Sequence, residues 1–285
     1  MSTSSEKKVW FITGASRGFG LEVARDALQR GDLVVATARK PETIAAALGA
    51  HDNLYCVPLD VTDEAQAIAA ADAAVARFGR IDVLLNNAGY GLLGAVEEAS
   101  AQEVECQFAT NVFGVLNVTR AVLPHMRRAG KGHVINISSI GGYAAYAGWG
   151  VYGATKFAVE GLTEALAMEL APLGIHATVV EPGFFRTDFL DDASLVRTRR
   201  ELDDYAATVG AMRTFSTSAN HQQPGDPKKL SRALLVLADS AKPPVRLPLG
   251  TDTVARIGEK NRSVEAELQE WLAVAVSTDH DDVAR

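Results

Sequence analysis

The chain has 285 residues, 47% hydrophobic and 22% charged, with a formal net charge of −7 at pH 7. This balance suits a soluble globular domain with a large core and excludes a disordered chain. The acidic excess lacks the basic footprint that a nucleic-acid partner demands, and no run of 18 apolar residues marks a membrane span.

Residues 1–8 are polar with no apolar signal segment, and the two cysteines, Cys56 and Cys106, form no closely spaced pair, which points to a reduced, cytoplasmic compartment. Short β-rich runs at 9–13, 33–37, 54–59, 83–86, 134–138 and 177–181 read as buried strands. Helical periodicity fills 20–30, 41–48, 63–78, 101–128 and 152–172. Such alternation predicts right-handed crossovers and one domain over 7–250, a doubly wound parallel sheet in three α/β/α layers with ligands at the carboxyl ends of the strands. The pattern weakens after 184, and 188–225 reads as a mobile loop over the substrate. Helix resumes at 227–239, a strand is expected at 245–248, and a last helix at 252–274 lies in a C-terminal extension over 251–276. The ends, 1–6 and 277–285, read as flexible tails.

The first strand runs into Thr13-Gly14-Ala15-Ser16-Arg17-Gly18-Phe19-Gly20 and then into a helix. Glycines bring the backbone close to a pyrophosphate, and the helix N-terminus offers it free N–H groups and a positive dipole end. Three residues, not one, separate the first two glycines, unlike the commonest dinucleotide pattern. At the end of the second strand no carboxylate is available for a ribose 2′-hydroxyl; Arg39 stands there instead, and Arg17 lies within the glycine loop. Two guanidinium groups flanking a 2′-phosphate favour NADP over NAD. Asp60-Val61 follows the third strand and Asn86-Asn87-Ala88-Gly89 the fourth, at the same sheet edge. Asp60 is placed to accept from an adenine amino group; ordinary strand-end capping is the competing account.

Tyr152 and Lys156 stand four residues apart on a predicted helix and so share one face. A cation fixed beside a phenol favours its anion and makes an acid/base catalyst of it. Taken alone the pair is no more than two residues on a surface helix.

Taken together, the ordered motifs resemble the short-chain dehydrogenases/reductases, in the NADP-preferring subgroup: TGxxxGxG at 13–20, NNAG at 86–89, Asn111, Ser139, YxxxK at 152–156, and Pro182-Gly183 followed by Thr187. The resemblance covers about residues 7–190 and implies a Rossmann fold. It implies that Tyr152 exchanges a proton with the substrate oxygen while Ser139 hydrogen-bonds that oxygen. It further implies that Lys156 depresses the phenol pKa and holds the nicotinamide ribose, and that Asn111 holds a water linking Lys156 to solvent. The implied cofactor contacts are Gly14, Ser16, Arg17, Gly18, Phe19, Gly20, Arg39, Asp60, Val61, Asn87, Ala88, Gly89, Tyr152, Lys156, Pro182, Gly183 and Thr187, the last at the carboxamide. No metal is required, since the Tyr/Ser pair supplies the polarisation.

Tyr143, Tyr146 and Trp149 lie between Ser139 and Tyr152, and Phe184, Phe185 and Phe189 follow the sixth strand; they are candidates for an apolar pocket. The expected activity is an NADP(H)-dependent oxidoreductase acting on a ketone, aldehyde or alcohol of apolar or aromatic character, in a homodimer or homotetramer. A non-catalytic NADP-binding regulator and a lyase or epimerase of the same fold are the alternatives.

Overall fold

The computed structural model describes residues 7–280. Seven parallel strands form one sheet: β1 (Val9–Thr13), β2 (Leu33–Ala38), β3 (Leu54–Pro58), β4 (Val83–Asn86), β6 (Gly132–Ile137), β7 (Ile175–Pro182) and β9 (Arg246–Leu249), in the order β3-β2-β1-β4-β6-β7-β9. The short strands β5 (Gly91–Leu93) and β8 (Leu195–Arg197) pair separately in a two-stranded parallel sheet.

Alternation along the strands divides the core between two faces. Trp10 and Ile12 of β1 pack with α1 (Gly18–Arg30), α2 (Glu42–Leu48) and α8 (Pro227–Asp239), through Val23, Ile44 and Leu234. Phe11, between them, packs on the other face with α3 (Glu64–Phe78), α5 (Gly114–Ala129) and the end of α6 (Gly150–Leu170), through Ala71, Val122 and Leu170. Local signals set the helix ends: the Asp63 carboxylate accepts from Gln66 N–H at the start of α3, and Gly79, at φ 83°, ends it. The doubly wound three-layer arrangement expected from the sequence is the one observed. Strand order reverses between β1 and β4, so the glycine loop and Asn86–Gly89 flank the switch point where such sheets bind ligands.

Three expectations need correction. The helix read over 101–128 is interrupted: α4 (Ala101–Phe108), which starts in a capping box between Ser100 and Glu103, passes into a π-helical turn at Ala109–Phe113 before α5. The 188–225 segment is not structureless. It contains β8, a second π-helical turn (Ala206–Gly210) and α7 (Ala211–Ser218), and it is pinned by the buried Glu98 carboxylate, which ion-pairs with Arg213 at 2.5 Å and accepts from Leu202 N–H at 2.8 Å. Periodicity missed it because its elements are only three to eight residues long. The expected tails at 1–6 and 277–285 lie largely outside the described residues, but Val276–Thr278 is a 3₁₀ turn closing α9 (Thr251–Ala275).

Candidate active site

The glycine loop is held by the strand-4 loop. Thr13 Oγ1 accepts from the N–H groups of Asn87 and Ala88, both at 3.0 Å, and Asn87 Nδ2 donates to the carbonyls of Thr13 and Gly14 at 3.0 and 3.1 Å. The Asn87 side chain thus shapes the loop. Gly20 does not line the cavity; it permits the close packing behind it, since a Cβ there would lie 2.6 Å from Asn87 Nδ2 and Gly14 O. Gly18 adopts φ 56° with nothing within 4 Å of where a Cβ would stand. Arg17, at the N-cap of α1, makes no capping bond from its side chain, and no acidic residue occupies the first turn. An open cradle with uncapped helix N–H groups fits the pyrophosphate of a dinucleotide.

This loop opens on a cavity of about 1180 Å³. Ser16, Arg17, Phe19, Arg39, Asp60, Val61, Ala88 and Gly89 line one part, and no carboxylate replaces Arg39 at the end of β2. Asp60 also caps: its Oδ1 accepts from Thr62 N–H and Oγ1 at 3.0 and 2.8 Å. Arg17 Nη2 donates to the Ala193 carbonyl at 2.5 Å, joining the glycine loop to the segment that covers the cavity.

Ser139, Tyr152 and Lys156 meet on the opposite wall. Ser139 follows β6 and begins a 3₁₀ turn, accepting from Gly141 N–H at 3.1 Å; Ser138 also reaches the cavity wall, with its buried hydroxyl turned toward Glu160. Burial pushes the Tyr152 phenol up to about 12, with a side-chain hydrogen bond to Ser139 opposing the rise. Lys156 Nζ sits 5.7 Å from the Tyr152 ring centroid and donates to the Ile137 carbonyl at 2.8 Å; burial brings it down to about 8, while the Glu160 charge opposes the fall. Burial outweighs the Ser139 hydrogen bond and favours the protonated phenol.

Asn111 lies behind the wall in the π-helical turn, a feature frequent at functional sites. A Cβ on Gly89 would stand 3.2 Å from Asn111 Oδ1 and 3.8 Å from Lys156 Nζ, so the two side chains converge on that glycine.

Trp149, Tyr152 and Phe189 form an aromatic cluster with centroids 5.5, 5.6 and 6.3 Å apart. With Tyr146 and Phe184 they make the remaining wall apolar; Pro182, Gly183 and Thr187 lie at its edge. Phe185 lines the cavity from the cofactor side, edge-on to Phe19 at 5.4 Å. Tyr143 is misplaced by the sequence reading. Its hydroxyl donates to Asn261 Oδ1 at 2.6 Å and its ring faces Arg246, so it belongs to a separate hollow. The sequence reading missed Tyr90, Leu190, Val196, Met212 and Gln223, all on the wall. The β5–β8 pairing helps bring the covering segment there, and three-residue strands leave no readable period. At the exposed edge of that segment Asp188, Asp191 and His221 place three potential ligand atoms within 4.8 Å; Asn220 and His221 bind Asp191 as a local staple.

The fold and the sequence are matched in known proteins. A family model described as short chain dehydrogenase matches residues 8–197. The chain is 38% identical over 273 residues to oxidoreductase BOA17 of Botryotinia fuckeliana, covering 95% of this chain and 99% of that protein. It is 39% identical over 247 residues to a 3-ketodihydrosphingosine reductase of Bacteroides thetaiotaomicron, covering 86% and 88%. A short-chain dehydrogenase from Streptomyces avermitilis superposes with a TM-score of 0.89 at 44% identity, over 96% of this chain and all of that one. The chain belongs to the short-chain dehydrogenase/reductase family and is an oxidoreductase of that family. Solved neighbours hold either cofactor: ElxO with NADP (TM-score 0.73, 30% identity, 88% and 100% covered) and a Burkholderia phymatum reductase with NAD (0.79, 28%, 92% and 95%).

Proposed function

We propose that the protein is an NADP(H)-dependent oxidoreductase that reduces a ketone or aldehyde, or oxidises the matching alcohol. The convergence of Ser139, Tyr152 and Lys156 on a cavity that also contains the glycine loop carries this reading. When bound, the nicotinamide supplies or takes up the hydride. In reduction, the Ser139 hydroxyl orients the substrate oxygen, and Tyr152, kept protonated by burial, gives that oxygen its proton. The Lys156 ammonium stabilises the phenolate so formed and holds the cofactor ribose, while Thr187, Pro182 and Gly183 hold the nicotinamide end. Asn111 fixes the loop beneath Lys156 and binds the water through which the proton is replaced.

Arg17 and Arg39 in the cavity wall, with no acid at the end of β2, support NADP over NAD. The aromatic wall supports an apolar carbonyl substrate, and a relative named 3-ketodihydrosphingosine reductase is consistent with a ketone there. Exposed Phe113, Phe157 and Met168 support assembly into a dimer or tetramer, and the two free cysteines support a reducing, cytoplasmic location. Among the described residues no helix is long and apolar enough to cross a membrane. A panel of ketones, aldehydes and alcohols with NADPH and NADP tests the activity. Tight NADPH binding with no net NADPH consumption or formation on any of them would favour a non-catalytic regulator.

A further inference from the structure

Glu98 stands in the loop between β5 and α4 with its carboxylate buried, and the reaction proposed above makes no use of it. Burying a carboxylate is costly unless hydrogen bonds and an opposite charge compensate for it. Here three donors do. Ala95 N–H, at 2.7 Å, comes from the same loop, whereas Leu202 N–H at 2.8 Å and Arg213 Nη2 at 2.5 Å come from the segment that covers the cavity.

Neighbouring carboxylates hold the same segment. Glu103 Oε1 accepts from Arg199 N–H at 3.1 Å, and Glu97 Oε2 accepts from the Tyr205 hydroxyl at 2.6 Å. Both bonds are exposed, where water competes for each partner, so the buried Glu98 is the anchor that fixes position. Arg213 also spreads its guanidinium toward Glu201 at 3.4 Å and Thr198 at 3.5 Å.

What this anchor fixes borders the cavity. Arg213 follows Met212 on α7, and Met212 lines the cavity and packs against the cluster of Trp149, Tyr152 and Leu190. A Cβ on Gly148 would stand 3.3 Å from Val209 Cγ1 and 3.4 Å from Met212 Cγ, so the start of α7 rests on the turn that leads into Trp149. Leu190 and Val196 of the same segment line the cavity too. This part of the apolar wall is thus carried by the covering segment, and its distance from Tyr152 is set by what anchors that segment. Neither Glu98 nor Arg213 lines the cavity, so the pair acts through Met212.

Resting on the reading of the site as one that reduces a carbonyl compound, we propose that Glu98 and Arg213 are positioning residues for substrate selection. Their pair holds Met212 in the wall and so lets the site draw selectivity from the apolar chain of its substrate.

Methyl ketones from butanone to decanone, reduced with NADPH, read this out. In the wild type kcat/KM rises with chain length, by up to about fourfold for each methylene that the wall removes from water. Glu98→Gln, which breaks the ion pair, flattens that rise to about half or less through KM, while kcat for butanone and NADPH affinity stay within about threefold. Met212→Ala flattens it in the same way, Arg213→Lys, which keeps the charge but not the fork, flattens it less, and Glu97→Gln leaves it unchanged. A pair that served only to stabilise the fold would lower the melting temperature and scale all the ketones equally. A wild-type dependence on chain length in Glu98→Gln therefore overturns the proposal, as does an equal flattening in Glu97→Gln. If Glu98→Gln does not fold, a wild-type dependence in Arg213→Lys overturns it. Wild type that consumes no NADPH with any of these ketones removes the carbonyl reading and this proposal with it, whereas active wild type beside an unaltered Glu98→Gln removes this proposal alone.

Discussion

Asn111 and the backbone of Tyr90 exchange two hydrogen bonds: Asn111 Nδ2 donates to the Tyr90 carbonyl at 3.0 Å, and Tyr90 N–H donates to Asn111 Oδ1 at 3.2 Å. The side-chain amide thus supplies a ladder partner to a loop that has just left β4. A third bond, from Nδ2 to Thr155 Oγ1 at 3.2 Å, ties the same amide to α6 beside Lys156. Asn111→Leu removes all three and leaves the Tyr90 N–H unmatched, although the Tyr90 carbonyl keeps its bond from Gln107 Nε2 at 2.8 Å. A loss of about 2–4 kcal/mol in stability is expected. Because Gly89 is then no longer held beneath Lys156, kcat should fall at least about tenfold. Denaturant unfolding and steady-state kinetics check both, and wild-type stability in this variant would show that the amide is not the tie.

Tyr152→Phe keeps the ring, and with it the packing against Trp149 and Phe189, but removes the proton. NADPH affinity should stay within a few fold while kcat drops by at least about a hundredfold. Fluorescence titration alongside turnover separates the two quantities. Retained turnover would mean that another group protonates the substrate.

The two inner glycines of the loop should fail differently. Gly18→Ala places a residue at φ 56° with free space around its Cβ, which costs about 1 kcal/mol in stability and intrudes on the open cradle. Gly20→Ala forces a Cβ to within 2.6 Å of the Gly14 carbonyl, and backbone cannot yield as a flexible side chain does. NADPH affinity should fall in both variants, but melting temperature should drop sharply only in Gly20→Ala. Equal melting temperatures would contradict the packing described for Gly20.

These contrasts mark what the sequence carries and what it does not. The parallel sheet was legible because most of its strands are short apolar runs followed by a helix, as in 9–13 and 33–37, and both faces of the sheet are buried. The site was legible where one element delivers it: the Gly14–Gly20 turn, Ser139 at a strand end, Tyr152 and Lys156 on one helical turn. Tyr143 was misassigned because sequence proximity to Ser139 does not tell which way a 3₁₀ turn aims its next side chain. Asn111 gave no sign of its π-helical turn, since its partner, Tyr90, lies 21 residues away. Glu160 and Glu181 read as ordinary helix and strand residues until the fold brings Arg246 between them.

On the proposed NADP(H) preference, cofactor choice rests on charge at the end of β2 and within the glycine loop. Arg39→Asp replaces a guanidinium with a carboxylate to which a 2′-hydroxyl would donate, so the ratio of NADPH to NADH affinity should fall by at least about tenfold. Arg17→Ala should also lower NADPH affinity, and it removes the bond to the Ala193 carbonyl, so proteolysis within 188–225 should become faster in that variant alone. Unchanged cofactor preference in Arg39→Asp would assign 2′-phosphate recognition elsewhere.

Acid should destabilise the fold through His133. This residue is buried in β6 and paired by its Nε2 with Thr178 Oγ1 at 2.9 Å. Thr178 donates its own proton to the Pro244 carbonyl at 2.6 Å, so the histidine must be the donor, and the Nε2–H tautomer follows. Burial drives the imidazole down to about 3, with His176 and Lys8 adding to the shift. The folded chain therefore keeps His133 neutral while the unfolded chain binds a proton near its ordinary value of 6.5. Above that value the group leaves stability unaffected by pH. Below it the unfolded state gains protons that the folded state refuses, so stability falls as pH drops from 6.5 toward 3, by on the order of 4–5 kcal/mol at the limit. His133→Gln keeps a donor toward Thr178 without a titrating ring. Denaturant unfolding of the two proteins across this window should show a shallower acid slope in the variant, and parallel slopes would place the acid sensitivity on other groups.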